Sequence, residues 1–476
     1  MTTPYIPWNV WRKIRDVILC VSVGLIALEL GGWDIRTNVG IKSTINPYLL
    51  PGFLQYSKYN PHENRWIPFS ASSPPLLLAS LIRSSWDIKA PSGESDLKDP
   101  KGWWEQDLGP DGKPWEDVSW AKGKTVLVLG DSVSRFHVKY LCEMAGEPLH
   151  EMPWGHPFSP PKIQGEEAKS EEERLPETLE EIERAKTYHT THDHPLRRDV
   201  PVEVEDIQPE PLISEQPSNS TVYTYGKRDG SRHVGNEGGY MGHYCHIPGI
   251  DLMVIQVFNY GLDEKNFWTL RNDYIPPYTI ESRLTLLAQP YIKAAGRSST
   301  APELTYVGSA LWDTTRWMRE DAAEGKDISE GLTRERLNWY RVRIRQVLMH
   351  ARQVFPETKL KWATHHYPLR AMSGWFFEGN QSGKPQRPQQ KLNRLSPLHE
   401  AAVSALEDLE DASSEQKSVL QGVDLGLWGR RMMGMEDHQK DDLHQNLLPG
   451  GYLWADTMLY DLREAVTKKW WERSWS

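Results

Sequence analysis

Thr125-Val-Leu-Val-Leu-Gly-Asp-Ser-Val-Ser-Arg135 is the stretch that decides the fold. Thr125 to Leu129 are β-branched or leucine with no charge among them, the pattern of a strand buried on both faces. Gly130 ends that run. Beyond it Val133, Phe136, Val138, Leu141 and Cys142 recur at roughly helical spacing until Gly146 and Pro148, so the reading places Ser132 between a buried strand and a helix N-terminus. Amides at a helix start have no intrahelical partner and carry partial positive charge, so an oxyanion formed beside Ser132 finds donors already in place. An ordinary turn with Ser132 as a helix cap is the alternative, and a serine in this position still needs a base to become a nucleophile.

The other end of the chain offers one. Asp441-Asp-Leu-His444 precedes Gln-Asn-Leu-Leu-Pro449-Gly-Gly and a helical pattern with Tyr452, Ala455, Leu459, Leu462 and Val466 on one face. An Asp three residues before a His can reach Nδ1 of that ring and leave Nε2 for a serine. Gly-Asp-Ser early and Asp-x-x-His late resembles the SGNH, or GDSL-type, hydrolase superfamily. The closer likeness is to its trichome-birefringence-like and PC-esterase branch of polysaccharide O-acetyltransferases. That likeness rests on Gly130-Asp-Ser-Val-Ser-Arg135, on Val257-Phe-Asn-Tyr-Gly261, and on the Asp-x-x-His loop continuing through Leu-Pro-Gly into a Trp-containing helix. It extends from about Lys124 to Leu462, and this chain has Asp442 and Gln445 where plant members carry Cys and Trp. The resemblance implies a Ser132, His444 and Asp441 triad with Asn259 donating to the oxyanion; capping a turn before Gly261 is the other reading of Asn259. Arg135, one helical turn beyond Ser132, would face the site or pin its loop. Gly238, Gly239 and Gly242 are candidates for a second oxyanion donor.

The chain has 476 residues, 25% of them charged and 38% hydrophobic, with a formal net charge of -10. That balance fits one large globular catalytic domain with additions. The acidic sign and the lack of a Lys/Arg stripe argue against nucleic acid as a partner. The 21 Trp provide flat apolar faces suited to sugar rings, although most such residues serve in cores. Arg12, Lys13 and Arg15 precede an uncharged run from Val17 to Leu28, which extends to Trp33 if Glu29 sits near an interface. Spanning a bilayer takes ~20 apolar residues. With the positive charges on the N-terminal side and no clear cleavage site, the segment reads as a type II signal anchor; a cleaved signal peptide and a buried soluble helix are the alternatives.

The expected organisation is a cytosolic tail over 1–16, a signal anchor over 17–33, a stem and irregular N-terminal lobe over 34–122, and an SGNH-like catalytic domain over 123–469. An acidic insertion at about 165–217, rich in Glu and Pro, is expected to be mobile. Its His189, His192 and His194 have spacing compatible with zinc, but a solvated His cluster is the alternative and no metal is assigned. Asn219-Ser-Thr221 and Asn380-Gln-Ser382 are glycosylation sequons and agree with a lumenal body. Three cysteines are present; with Cys20 in the apolar run, Cys142 and Cys245 remain as a disulfide pair or as two buried thiols.

Further strands are expected at Pro148–Met152, Asp251–Phe258, Leu304–Ser309 and, as the last of the core, Lys359–Thr364. Ala310–Trp317 reads as a loop whose Trp312 lines a sugar-binding rim or packs the loop itself. A helix follows, with Leu337, Tyr340, Ile344, Val347, Leu348, Ala351 and Phe355 on one face and Pro356 at its end. Another starts at Ser396-Pro397 and runs to about Asp411. His365 and His366 follow the Lys359 strand and are the rival candidates for the base. Strands alternating with helices predict a three-layer α/β/α sandwich with a mainly parallel sheet.

The chemistry implied is serine-dependent acyl transfer, with no bound cofactor and an acyl donor as co-substrate. The acceptor is a glycan or polysaccharide, and the enzyme is expected in the Golgi or another secretory-pathway membrane as a single-pass protein with a lumenal catalytic domain. A GDSL-type esterase and a non-catalytic lumenal glycan-binding protein are the alternatives.

Overall fold

The computed structural model describes residues 46–57, 61–69, 74–86, 115–152, 156, 242–263, 279–295, 301–327, 330–368, 389–440 and 443–467. The 17–33 segment, the whole stretch from 157 to 241 with the acidic insertion at about 165–217, its histidines, Asn219, Gly238 and Gly239, and also Asn380 and Asp441 lie outside them. Among the described residues no helix is long and apolar enough to cross a membrane.

The chain is an α/β protein built on a mostly parallel sheet of seven strands flanked by helices. Thr125–Gly130 (β3) occupies the middle of that sheet, and all six of its residues are buried. Before it come a hairpin of Gly52–Gln55 (β1) and Arg65–Pro68 (β2), and the helix Leu77–Trp86 (α1). After it come the helix Ser132–Met144 (α2), the short strand His150–Glu151 (β4), Gly242–Ile247 (β5) and Leu252–Phe258 (β6). Three consecutive helical segments, Ile280–Arg283, Leu284–Ala288 and Gln289–Ala294 (together α3), lead to Leu304–Val307 (β7). Leu311–Ala323 (α4) and Arg334–Val354 (α5) precede Lys359–Ala363 (β8); Gln389–Glu407 (α6) and Ser414–Leu420 (α7) precede Asp424–Gly426 (β9); Trp428–Arg431 (α8) and Tyr452–Thr467 (α9) are the last helices among the described residues.

The strand order is β4-β5-β6-β3-β7-β8-β9, antiparallel from β4 to β6 and parallel from β6 onward. From β3 the chain first crosses to β6 on one side, then returns past β3 to β7 on the other. The connections therefore diverge at the C-terminal end of β3, which is where open α/β sheets leave a crevice for ligands. Helix α2 packs on β3, β5 and β6 and against α9, while α5 packs on β8, α6 and α7. Leu127 and Leu129 are fully buried, so truncating either to Ala would cost ~2–5 kcal/mol.

Several elements differ from the sequence reading, each for a physical reason. Residues 310–317 form the start of a helix rather than a loop: the N–H of Thr314 donates to Ala310 O at 2.8 Å. Its inner face includes buried Asp313, Thr314, Thr315 and Asp321, so apolar periodicity does not reveal it. Helix α6 begins seven residues before Ser396 and carries Pro397 inside. The turn before that proline is held by tertiary contacts, with Arg394 Nη2 on Asp321 Oδ2 at 2.6 Å and Arg394 Nε on Glu330 O at 3.1 Å. Strand β8 is not the last of the core, because the three residues of β9 extend the sheet beyond it. Strand β5 alternates His, Tyr, Cys and His instead of showing an apolar run, and the region before residue 122, read as lacking a long periodic segment, contains α1.

Candidate active site

The turn from β3 into α2 is shaped by what surrounds Gly130. A Cβ on Gly130 would lie 2.1 Å from Ser134 Oγ and 2.8 Å from Ser134 Cβ, so only glycine lets the chain fold this closely onto the first turn of the helix. The Gly130 carbonyl accepts from Asn259 N and from Gln256 Nε2, each at 3.0 Å. Asp131 is the N-cap of α2, with Oδ1 accepting from Val133 N at 2.9 Å, which satisfies one of the unpaired amides of a helix start. Ser132 is the first residue of that helix and is only half-buried.

His444 meets it from the far end of the chain. The Ser132 hydroxyl and His444 Nε2 are 2.8 Å apart, hydrogen-bond distance between a hydroxyl and a ring nitrogen. The imidazole also lies against Phe136, with ring centroids 4.5 Å apart. Its loop is fastened by several bonds. Lys440 N donates to His444 O at 2.7 Å and Asn446 N to His438 O at 3.1 Å. Tyr140 on α2 donates its hydroxyl to Gln445 O at 2.9 Å, and His366 Nε2 lies 2.7 Å from Leu443 O. A carbonyl only accepts, so that nitrogen of His366 carries the proton. The glycines of Pro449-Gly450-Gly451 permit the close approach: a Cβ on Gly450 would be 2.6 Å from Gln445 Cβ, and one on Gly451 2.6 Å from the Tyr140 ring.

Behind Ser132 lies a buried polar chain across three strands. Gln256 donates to Gly130 O, so its Oε1 is left to accept from His243 Nδ1 at 3.0 Å. Burial, and then the charge of Arg135, push the His243 imidazole down to about 3, which keeps it neutral with its proton on Nδ1. A neutral His243 therefore braces the same carbonyl that braces the Ser132 turn.

Asn259 stands at the C-terminal end of β6, next to β3. It is almost fully buried, and among the described residues neither its Oδ1 nor its Nδ2 has a hydrogen-bond partner. An unpaired buried amide costs about 1–3 kcal/mol, a cost that ligand-binding groups carry before the ligand arrives.

Of the residues singled out from sequence, Ser132, His444 and Asn259 converge on the C-terminal edge of β3 and β6. Arg135 is on α2, half-buried, with its guanidinium carbon 5.8 Å from the Phe136 ring centre. Trp312 is buried, edge-on to Tyr260 with centroids 4.8 Å apart, so it packs the loop after β6. Gly242 begins β5, and a Cβ there would come within 2.7 Å of Tyr291; its need for glycine is a packing one. Of the two histidines considered as rival bases, His366 supports the His444 loop. The other, His365, is buried with Nε2 unpartnered, and a Cβ on Gly308 would lie 3.3 Å from that atom. Cys142 on α2 and Cys245 on β5 are joined as a disulfide.

Sequence reasoning missed Gln256, His243 and Tyr140. Only Gln256 left a signal, being the one amide within an otherwise apolar strand, where a buried polar group needs a partner. The chain matches no family model, no curated protein and no solved structure.

Proposed function

We propose that the protein is a serine-dependent acyltransferase of SGNH-like, three-layer α/β/α architecture, an O-acetyltransferase acting on a glycan or polysaccharide. The observation that carries the reading is the 2.8 Å contact between Ser132 Oγ and His444 Nε2 at a helix N-terminus on the C-terminal edge of the sheet. In the first step Ser132 Oγ attacks the acyl carbon of the donor while His444 Nε2 takes its proton. The donor's leaving group departs with that proton, leaving an ester on Ser132. In the second step a sugar hydroxyl gives its proton to His444 and attacks the ester; the proton returns to Ser132 Oγ as the acylated sugar leaves. Asp441, three residues before His444, orients the ring, and the Asn259 amide with the α2 amides holds the negative oxygen in both steps. The apolar segment at 17–33 anchors the enzyme in a Golgi or other secretory membrane with its catalytic domain lumenal, as the basic residues before it suggest.

A fluorophosphonate probe tests the nucleophile. The wild-type chain is expected to be labelled on Ser132, and Ser132→Ala to remain unlabelled; labelling that survives the substitution would remove the assignment. With an acetyl donor, product masses then divide transfer from hydrolysis. Acetylated oligosaccharide that appears only with acceptor supports transfer, whereas free acetate at a rate no acceptor changes makes the protein an esterase.

A further inference from the structure

The turn after β6, from Phe258 to Leu262, is pinned by side chains from three separate helices. Arg283 of α3 donates from Nη1 to Phe258 O at 2.7 Å. Arg343 of α5 donates from Nε to Leu262 O at 3.1 Å. Asp313, in the first turn of α4, accepts the Leu262 N–H on Oδ1 at 2.9 Å. All three charged side chains are buried.

Asp313 is the most tightly fitted of them. Its Oδ2 accepts the Ser309 hydroxyl at 2.5 Å, and the Ser309 carbonyl in turn accepts the Tyr340 hydroxyl. Gly261 has φ of 100°, and a Cβ there would lie 2.9 Å from Asp313 Oδ1. The carboxylate therefore fills the space a side chain at 261 would need. Burial raises the pKa of this carboxyl, against the pull of Arg316 and of its two hydrogen bonds. A buried carboxylate is expensive unless its oxygens are engaged, yet this one is spent on the backbone of a turn. Among the described residues the Asn259 side chain has no hydrogen-bond partner, while its N–H ties the turn to the Ser132 turn through Gly130 O.

We propose that Asp313 is a positioning residue for the oxyanion side of the site, fixing the Asn259–Leu262 turn so that the Asn259 amide is preset before substrate binds. The proposal rests on the acyl-transfer reading of Ser132 and deepens it: Asp313 touches neither substrate nor nucleophile, and acts through Asn259. Preset donors save the reorganisation that a flexible amide would need as charge develops.

Steady-state kinetics of the full chain with p-nitrophenyl acetate, alongside fluorophosphonate labelling, test it. Asp313→Ala is expected to lower kcat by roughly 10- to 100-fold with KM within about twofold, because the loss falls on the transition state. Asp313→Asn, whose Oδ1 still accepts the Leu262 N–H, should return kcat to within about threefold of wild type, whereas Asp313→Leu, which fills the same space without an acceptor, should not. Combined with Asn259→Ala, Asp313→Ala should add nothing further, since both remove the same donor. If Asp313→Ala does not accumulate folded, Ser309→Ala, which leaves the carboxylate in place, should show the same pattern at about threefold. An unchanged kcat, a loss that multiplies with Asn259→Ala, or failure of Asn to rescue would overturn the role of Asp313 while wild-type labelling of Ser132 leaves the acyl-transfer reading standing. A wild-type protein that neither labels nor turns over the ester would remove both.

Discussion

Gly130 and Ser134 are in such close contact that the geometry of the Ser132 turn depends on a hydrogen atom at position 130. The far end of the Ser134 side chain can rotate away from an added methyl group, but its Cβ, 2.8 Å from where that methyl would sit, cannot. Gly130→Ala is therefore expected to push the first turn of α2 off the strand, costing about 1–3 kcal/mol as overpacking does. It would also displace Ser132 from His444; a shift of 1 Å costs about 10²-fold in rate. Adding Ser134→Gly, which removes the obstructing Cβ, should recover part of both losses, read by thermal melting and by the rate of fluorophosphonate labelling. Unchanged labelling in Gly130→Ala would show that the turn tolerates the methyl and that the close contact does not govern Ser132. At this scale the sequence was most legible where chemistry and local structure coincide. Ser132 and His444 sit in motifs whose spacing has a mechanical meaning. Asp313 and His243 act through residues distant in the chain, Leu262 and Gln256, and nothing near them in sequence announces the contact.

Among the elements, those with continuous apolar runs were the readable ones: β3, β6, β7 and β8 lie within the stretches that the sequence pointed to, with ends shifted by two residues or fewer. Strand β5 and helix α4 escaped because their buried faces carry His, Thr and Asp residues, of which His243 and Asp313 are engaged by Gln256 and Leu262 on another strand and its following turn. Helix α6 was misplaced at its start because Ser-Pro is a good initiation signal that anchoring of Arg394 overrode. The α2–β5 link illustrates what cysteine counting can do, since Cys142 and Cys245 are 103 residues apart in sequence and yet join the helix that Ser132 begins to the antiparallel flank of the sheet. The bond removes chain entropy from the unfolded state, and for a loop of this size that is worth about 2–5 kcal/mol. Cys142→Ala with Cys245→Ala is expected to lower the unfolding free energy by that amount, and non-reducing peptide mapping of the wild type should recover the two peptides as one. Alkylation of both thiols in native protein without reductant would contradict the bond.

Over the whole molecule, the two ends of the described chain are locked together through α9. Asn46 Nδ2 and Lys361 Nζ both donate to Asp461 Oδ1 at 2.8 Å, and Tyr306 donates to its Oδ2 at 2.5 Å. One turn away, Asp456 accepts from the Tyr48 hydroxyl at 2.6 Å and from Leu78 N at 3.1 Å. These carboxylates tie the segment before the hairpin, and α1, to the helix that follows His444. Burial raises the pKa of Asp456 to about 6, so the folded state holds a proton there that the unfolded chain releases above its ordinary value near 3.8. Asp456 alone would make the protein more stable as pH falls through that interval. Four buried histidines act in the opposite direction. Burial pushes His137 well below its usual 6.5, His243 to about 3, His399 to about 4, and lowers His365. Below about 6.5 the unfolded chain takes up protons at these sites that the folded chain refuses, and each costs about 1.4 kcal/mol per pH unit until its folded value is reached. Between 6.5 and 6 the histidines act before Asp456 begins to offset them, and below 6 they still outnumber it together with the two other buried carboxyls that burial raises, Asp313 and Asp461. Stability from urea unfolding is therefore expected to fall as pH drops from 7 to 5. His399→Phe, keeping a ring stacked on Tyr367 at a 5.9 Å centroid distance, should remove one histidine's share and reduce the slope by about 1.4 kcal/mol per pH unit. Asp456→Asn should steepen it below pH 6 by removing the opposing proton. Stability that rises on acidification, or a His399→Phe slope equal to wild type, would mean that these imidazoles are protonated in the folded protein.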